Sequence, residues 1–289
     1  MIKPIVLYNC EVWGHEKLTD NTIEKLHLQF CKQILGVHPK ASNSAVLGEL
    51  GRFPLKIEVQ IRVIKLWTKI LSMPESILMK QSYKEEYDGI SDGVSNNKQS
   101  WSNTVRVYLE QEGFTETWQR QTTQADFLND YERKLKEKYA NVWYSDLQAQ
   151  DKLRTYKKIK TNFSKELYLK EFSDFNKVSP IAQFRVSAHT LNIERQRYVY
   201  PKIPADKRLC PLCNVPEDEL HFLCSCKRYT TERAKLYQSV RVILPQLNDL
   251  TDEEKFIEIL TSQNVQTVLS LCNFVAKGFH VRQEALLHA

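Results

Sequence analysis

The stretch CPLCNVPEDELHFLCSC, from Cys210 to Cys226, constrains this chain more than any other. Its cysteines and histidine fall at metal-ligand spacing, C-x2-C-x7-H-x4-C. Zinc takes four sulfur or nitrogen donors in a tetrahedron, and two residues between Cys210 and Cys213 let both thiolates converge from one tight turn. Pro211 fixes a backbone angle inside that turn, and Asn214 is a residue type that tolerates left-handed backbone. The acidic run Glu217-Asp218-Glu219 then carries the chain back to His221. Spacing leaves the fourth donor open between Cys224 and Cys226. His-x2-Cys is short for one helical face, whereas the five-residue step to Cys226 is nearer a helical turn plus a cap. The three remaining cysteines, Cys10, Cys31 and Cys272, stand singly among apolar residues, and no secretory signal precedes them. They read as core packing in an intracellular, reducing compartment, nucleus or cytoplasm, rather than as a disulfide framework.

Three thiolates and one imidazole fill a tetrahedral ion's coordination, leaving no position for substrate or water, so the expected Zn2+ is structural. Catalytic constellations are missing: the sequence has no P-loop, no G-x-S-x-G and no H-E-x-x-H. CPLC matches half of the zinc deaminase signature, but the upstream His189 is followed by Thr190 and Leu191, so the catalytic Glu is absent. The chain reads as a non-enzyme.

With only 8 glycines in 289 residues, and 26% charged against 42% hydrophobic residues, the composition favours a soluble helical protein. No apolar run reaches the 18 or so residues that would span a bilayer. Ile23, Leu26, Phe30 and Ile34 recur at helical steps after a cap at Thr19 or Asp20 and stop at Gly36. Ser42 or Asn43 starts a short helix ended by Gly51, and Pro54 opens a long one. Ser102 or Asn103 caps another that Gly113 ends. Ser179-Pro180 reads as a cap and first-turn proline, and Thr251-x-x-Glu254 as a capping box. The expected fold is mainly α with a small zinc-knuckle lobe near the C-terminus. The expected regions are a helical part over 1–80, a linker over 81–100 rich in turn formers, helices over 101–176, a helix plus zinc lobe over 177–245, and terminal helices over 246–289.

The net charge of +6 is modest, so its distribution matters more. From Lys152 to Lys170 seven Lys or Arg stand against one Glu, interleaved with Tyr156, Phe163 and Tyr168. That stripe reads equally as a phosphate-tracking surface or as a wet helix face with its aromatics turned inward. Around the knuckle the candidates for phosphate contact are Arg195, Arg197, Lys202, Lys207, Arg208, Lys227 and Arg228, with Tyr198 and Tyr200 among them. Arg185 precedes this group, and Arg233 and Lys235 follow it.

Three stretches resemble the C-terminal part of LINE-type, non-LTR retrotransposon reverse transcriptases. They are Leu7 to Gly14 with IEKLHLQFCKQILGV and GELGRFPL, then FRVSAHTLNIERQRY, then IPADKRLCPLCN with ELHFLCSC and Tyr229-x-x-x-Arg233. The resemblance implies Cys226 as the fourth ligand and a thumb-like region over 1–80. It also implies a tail that holds template RNA or target DNA beside the rest of a polyprotein. No Tyr- or Phe-x-Asp-Asp segment is present, so two-metal nucleotidyl transfer is not expected. The other expectations are a structural or protein-interaction zinc module, or a non-functional piece of a degraded element. Exposed apolar surface is expected over 1–80, where the family region would pack on a palm.

Overall fold

The computed structural model describes residues 3–17, 22–91 and 100–287. Among these residues it is helical and contains no strand beyond isolated bridges. The helices, in chain order, are α1 Lys3–Val6, α2 Cys10–Lys17, α3 Thr22–Leu35, α4 Asn43–Leu50, α5 Leu55–Leu71, α6 Leu78–Ser91, α7 Trp101–Gln111 and α8 Thr115–Arg120, followed by α9 Phe127–Gln148, α10 Tyr156–Ile159, α11 Leu167–Glu171, α12 Phe175–Arg185, α13 Asn192–Arg195, α14 Thr230–Arg241, α15 Asp252–Thr261 and α16 Val265–Leu287. None of these helices is long and apolar enough to cross a membrane. The expected cap at Thr19 or Asp20 lies outside the described residues.

The helices gather into two compact units. The first comprises residues 1–27 and 53–142. Its core is built on α5, whose Val59, Val63, Ile64, Trp67 and Ile70 are buried together with Leu7, Cys10, Leu109 and Phe127. Pro54 has no side chain with which to cap α5, and the Glu24 carboxylate accepts from the Leu55 N–H at 2.7 Å instead. Trp67 donates its indole N–H to Tyr83 Oη at 2.8 Å and meets Phe127 edge-on with centroids 6.0 Å apart. That burial of Tyr83 corrects the linker expected over 81–100. Residues 78–91 are helical because Tyr83 and Tyr87 pack against Trp101 and Trp118, which outweighs the Asp88-Gly89 turn signal. Residues 92–99 lie outside the described part. The cap of α7 is Ser100, whose side chain accepts from Asn103 N at 3.1 Å, and not Ser102 or Asn103. Ile5, Tyr8, Val12, Leu78 and Met79 leave large apolar side chains exposed in this unit.

The second unit comprises residues 28–52 and 143–289. Helix α4 is buried nearly all round, from Ala45 to Leu50, and is capped by Ser42. Gly51 ends it at φ 55°, where an added Cβ would stand 2.3 Å from Lys165 N, so both conformation and space require glycine. Helix α16 is the spine against which α11, α12, α14 and α15 pack. Asp174, not Ser179, caps α12, and Pro180 lies inside that helix. Ser179 turns its hydroxyl to the Gly36 carbonyl at 3.3 Å, so it serves packing rather than capping. The capping box at Thr251 and Glu254 is present. The basic stripe over 152–170 does not form a stacking surface. Tyr156 and Tyr168 are buried, Lys160 is buried against Glu166, and Arg154 is drawn to Glu194 and Glu219.

Candidate metal centre

The knuckle is a miniature hairpin. Cys210 N donates to Val215 O at 2.7 Å, Asn214 N to Cys210 O at 2.9 Å, and Glu217 N to Arg208 O at 2.9 Å. Asn214 closes it at φ 53°, the left-handed conformation its side chain tolerates. The chain returns through Asp218, whose carboxylate accepts from His221 N at 2.8 Å and starts a five-residue π-helical turn, His221–Ser225. Cys226 N closes that turn on His221 O at 2.8 Å. An α-helix would rotate residues five apart to different faces, whereas the wider π turn brings them towards one side. This is how His221 and Cys226 reach a common point.

The ligand atoms of Cys210, Cys213, His221 and Cys226 all lie within 4.8 Å of one another. Cys210 Sγ and Cys213 Sγ are each 3.9 Å from Cys226 Sγ. Two thiolates bound at about 2.3 Å to a tetrahedral ion would stand about 3.8 Å apart, so the spacing fits without rearrangement. His221 Nε2 is buried with no hydrogen-bond partner among the described residues, so its lone pair is free to serve as a metal donor. Burial depresses the His221 pKa and favours the neutral imidazole that a metal needs. Burial opposes ionisation of Cys213, but the Lys227 backbone N–H and the neighbouring thiols overcome it and hold this thiol below its usual value. The four residues can hold a metal ion and would supply its whole tetrahedral shell. Cys224 faces elsewhere: its Sγ donates to Asp252 O at 3.4 Å, and burial pushes its pKa up to about 11.

The acidic run is more than a connector. Glu217 accepts from Arg282 Nε and Nη2 at 2.8 and 2.7 Å and from Asn192 N at 2.7 Å. Glu219 accepts from Arg154 at 2.5 Å, from His189 at 2.8 Å and from Ser187 at 3.3 Å. Burial alone would raise Glu219, yet His189 and Arg154 hold its carboxyl down to about 2. Arg233 is also structural, donating to Leu223 O at 2.7 Å and Cys226 O at 2.6 Å. These residues, with Asn192, lock the lobe onto α13, α14 and α16. Sequence reasoning missed Glu217, Glu219, Asn192 and Arg282 as a set, because no local pattern joins residues 25 to 90 positions apart.

Phe222 plugs the lobe into the core, with ring centroids 4.6 Å from Tyr229, 5.2 Å from Phe279 and 5.5 Å from Phe274. Gly278 on α16 makes room for it, since a Cβ there would lie 2.6 Å from Phe222 Cζ. Gly278→Ala is therefore expected to lower stability by about 1–3 kcal/mol through overpacking, despite alanine's higher helix propensity. Urea denaturation checks it, and a stabilised variant would contradict this packing.

The basic candidates separate into two groups. Arg197 pairs with Glu194 at 2.9 Å, and Arg208 donates to Ile203 O at 3.0 Å and Ile193 O at 2.8 Å, so both brace the loop ahead of the knuckle. Lys207 is exposed, 3.9 Å from the equally exposed Asp206. Arg195, Lys202, Lys227 and Arg228 form no ion pair among the described residues. Arg195, Lys202 and Lys227 are exposed, as are Tyr198 at 72% and Tyr200 at 94%.

Fold and site together define an all-helical protein carrying a small Cys3His lobe that can hold a metal ion. No family model, no curated protein and no solved structure matches the chain.

Proposed function

We propose that the chain is a zinc-stabilised nucleic-acid-binding module of the kind that ends LINE-type reverse transcriptases. The metal holds the knuckle, and the knuckle presents cations to RNA or DNA. The observation that carries this reading is a donor set complete in itself, flanked along the chain on both sides by Arg195, Lys202, Lys227 and Arg228, unpaired among the described residues, and the exposed Lys207, with Tyr198 and Tyr200 exposed among them. Cations follow a phosphate backbone, and exposed rings stack on unpaired bases. Three sulfurs and a nitrogen are a donor set suited to zinc, with no open position for a reacting group, so the ion's part is structural.

Elemental analysis of the purified chain is expected to find zinc. Binding to a single-stranded RNA of about 20 nucleotides is expected to weaken as salt rises, each phosphate contact adding about 0.7 to the log-log slope. Lys227→Gln with Arg228→Gln should then lower the slope by about 1.4 without loss of metal. Binding that ignores salt would overturn the nucleic-acid reading and leave the lobe as a structural or protein-interaction module.

A further inference from the structure

Ahead of the knuckle, the second unit contains a cavity of about 410 Å³ that the metal site does not use. Its size lies in the range of small-molecule sites, about 300–1,000 Å³. Its walls are largely apolar, and Lys40, Lys152 and Arg195 are among the residues that line it, none of them in an ion pair among the described residues. The one carboxylate on the lining, Glu194, is already neutralised by Arg154 at 2.9 Å and Arg197 at 2.9 Å. The cavity is therefore net cationic. Tyr198 also lines it while remaining 72% exposed, with Lys152 Nζ 6.0 Å from the ring centroid.

Ser187, on the lining, is fully buried at φ 54°, where it ends α12 in the left-handed conformation common just past helix C-termini, Ala188 N closing on Gln183 O at 2.9 Å. Beside it His189 is buried against Glu219, and its Nδ1 has no hydrogen-bond partner among the described residues.

Apolar walls call for a flat apolar body, an exposed tyrosine for something to stack on it, and uncompensated cations for an anion. We propose that this cavity is a nucleotide site, taking one base against Tyr198 with its phosphate on Lys40, Lys152 and Arg195. It deepens the nucleic-acid reading above by naming where an unpaired nucleotide of the bound strand is held. A free mononucleotide carries the same chemistry, so the two sources are separated by experiment.

The full-length, metal-loaded chain is titrated with UMP and, separately, with an oligouridylate of about eight residues, in wild type, Tyr198→Ala, Tyr198→Phe and the Lys40→Gln, Lys152→Gln pair. Tyr198→Ala is expected to weaken both ligands about tenfold, the size of one lost base stack, and Tyr198→Phe to stay within about twofold. The lysine pair is expected to weaken UMP at least tenfold, and each variant to melt with the wild type. UMP binding that these variants weaken, with no oligonucleotide binding, upholds the cavity and overturns the proposed function. Oligonucleotide binding that the variants do not change, or UMP binding equal in wild type and Tyr198→Ala, overturns the cavity and leaves the proposed function standing. Absence of both overturns both.

Discussion

Cys226→Ser is expected to abolish stoichiometric zinc binding and release the order of the knuckle, while Cys224→Ser leaves both intact. The two cysteines are one residue apart from their shared neighbour Ser225, yet only Cys226 stands 3.9 Å from two other thiols. Cys224 Sγ points to the Asp252 carbonyl. In isolated zinc fingers the ion supplies about 10–16 kcal/mol and nothing folds without it. Here the loss should stay local, because Phe222, Arg282 and Arg233 hold the lobe independently of the ion. Chelation or Cys226→Ser is thus expected to preserve most of the helical circular dichroism and to abolish amide protection in the Cys210–Val215 turn, where the N–H groups of Cys210 and Asn214 otherwise close on the Val215 and Cys210 carbonyls. Elemental analysis and hydrogen exchange read the two effects. Zinc retained in Cys226→Ser and lost in Cys224→Ser would place the fourth donor on Cys224 and overturn the assignment to Cys226.

What was legible in the sequence was local. The knuckle spacing, the stops at Gly36, Gly51 and Gly113, a helix start at Ser42 or Asn43 that the structure resolves to Ser42, and the box at Thr251 all lie within a few residues of the structure they produce, and the positive φ values at those three glycines match their role as stops. The helical class followed from periodicity. The π turn was not legible, because five-residue spacing does not distinguish it from an α turn followed by a cap. Charge misled most. Arg185, Arg208 and Arg233 sit in basic stretches and read as surface, but Arg185 is spent on Glu49 and the Leu260 carbonyl from distant segments, and Arg208 and Arg233 on backbone carbonyls of their own neighbourhood. Tyr156 and Tyr168 were ambiguous for the same reason: only the fold decides which side of a basic helix its rings take. The turn formers Asp88-Gly89 promised a loop until Tyr83 and Tyr87 found the indoles of Trp67, Trp101 and Trp118.

Arg185→Met is expected to destabilise the second unit by about 3–5 kcal/mol, the usual consequence of leaving a buried carboxylate without its partner. Arg185 Nε donates to both oxygens of Glu49 at 3.2 and 3.1 Å, Nη2 faces Glu166 at 2.9 Å, and Nη1 donates to Leu260 O at 2.7 Å. Burial opposes its charge, but Glu49 and Glu166 overcome that and keep the guanidinium protonated. Remove it, and Glu49 keeps the Tyr168 hydroxyl at 2.6 Å but loses the guanidinium that held both its oxygens, while Glu166 keeps Lys160. The cost therefore belongs mostly to the stranded Glu49. A second change, Glu49→Leu, removes that stranded charge, so the double variant should be more stable than Arg185→Met alone even though it has lost more polar contacts. Urea denaturation of the wild type, both single variants and the double variant measures the coupling. An Arg185 that instead faced phosphate would behave in the opposite way: Arg185→Met would lower the salt slope of RNA binding by about 0.7 and leave the denaturation midpoint unchanged.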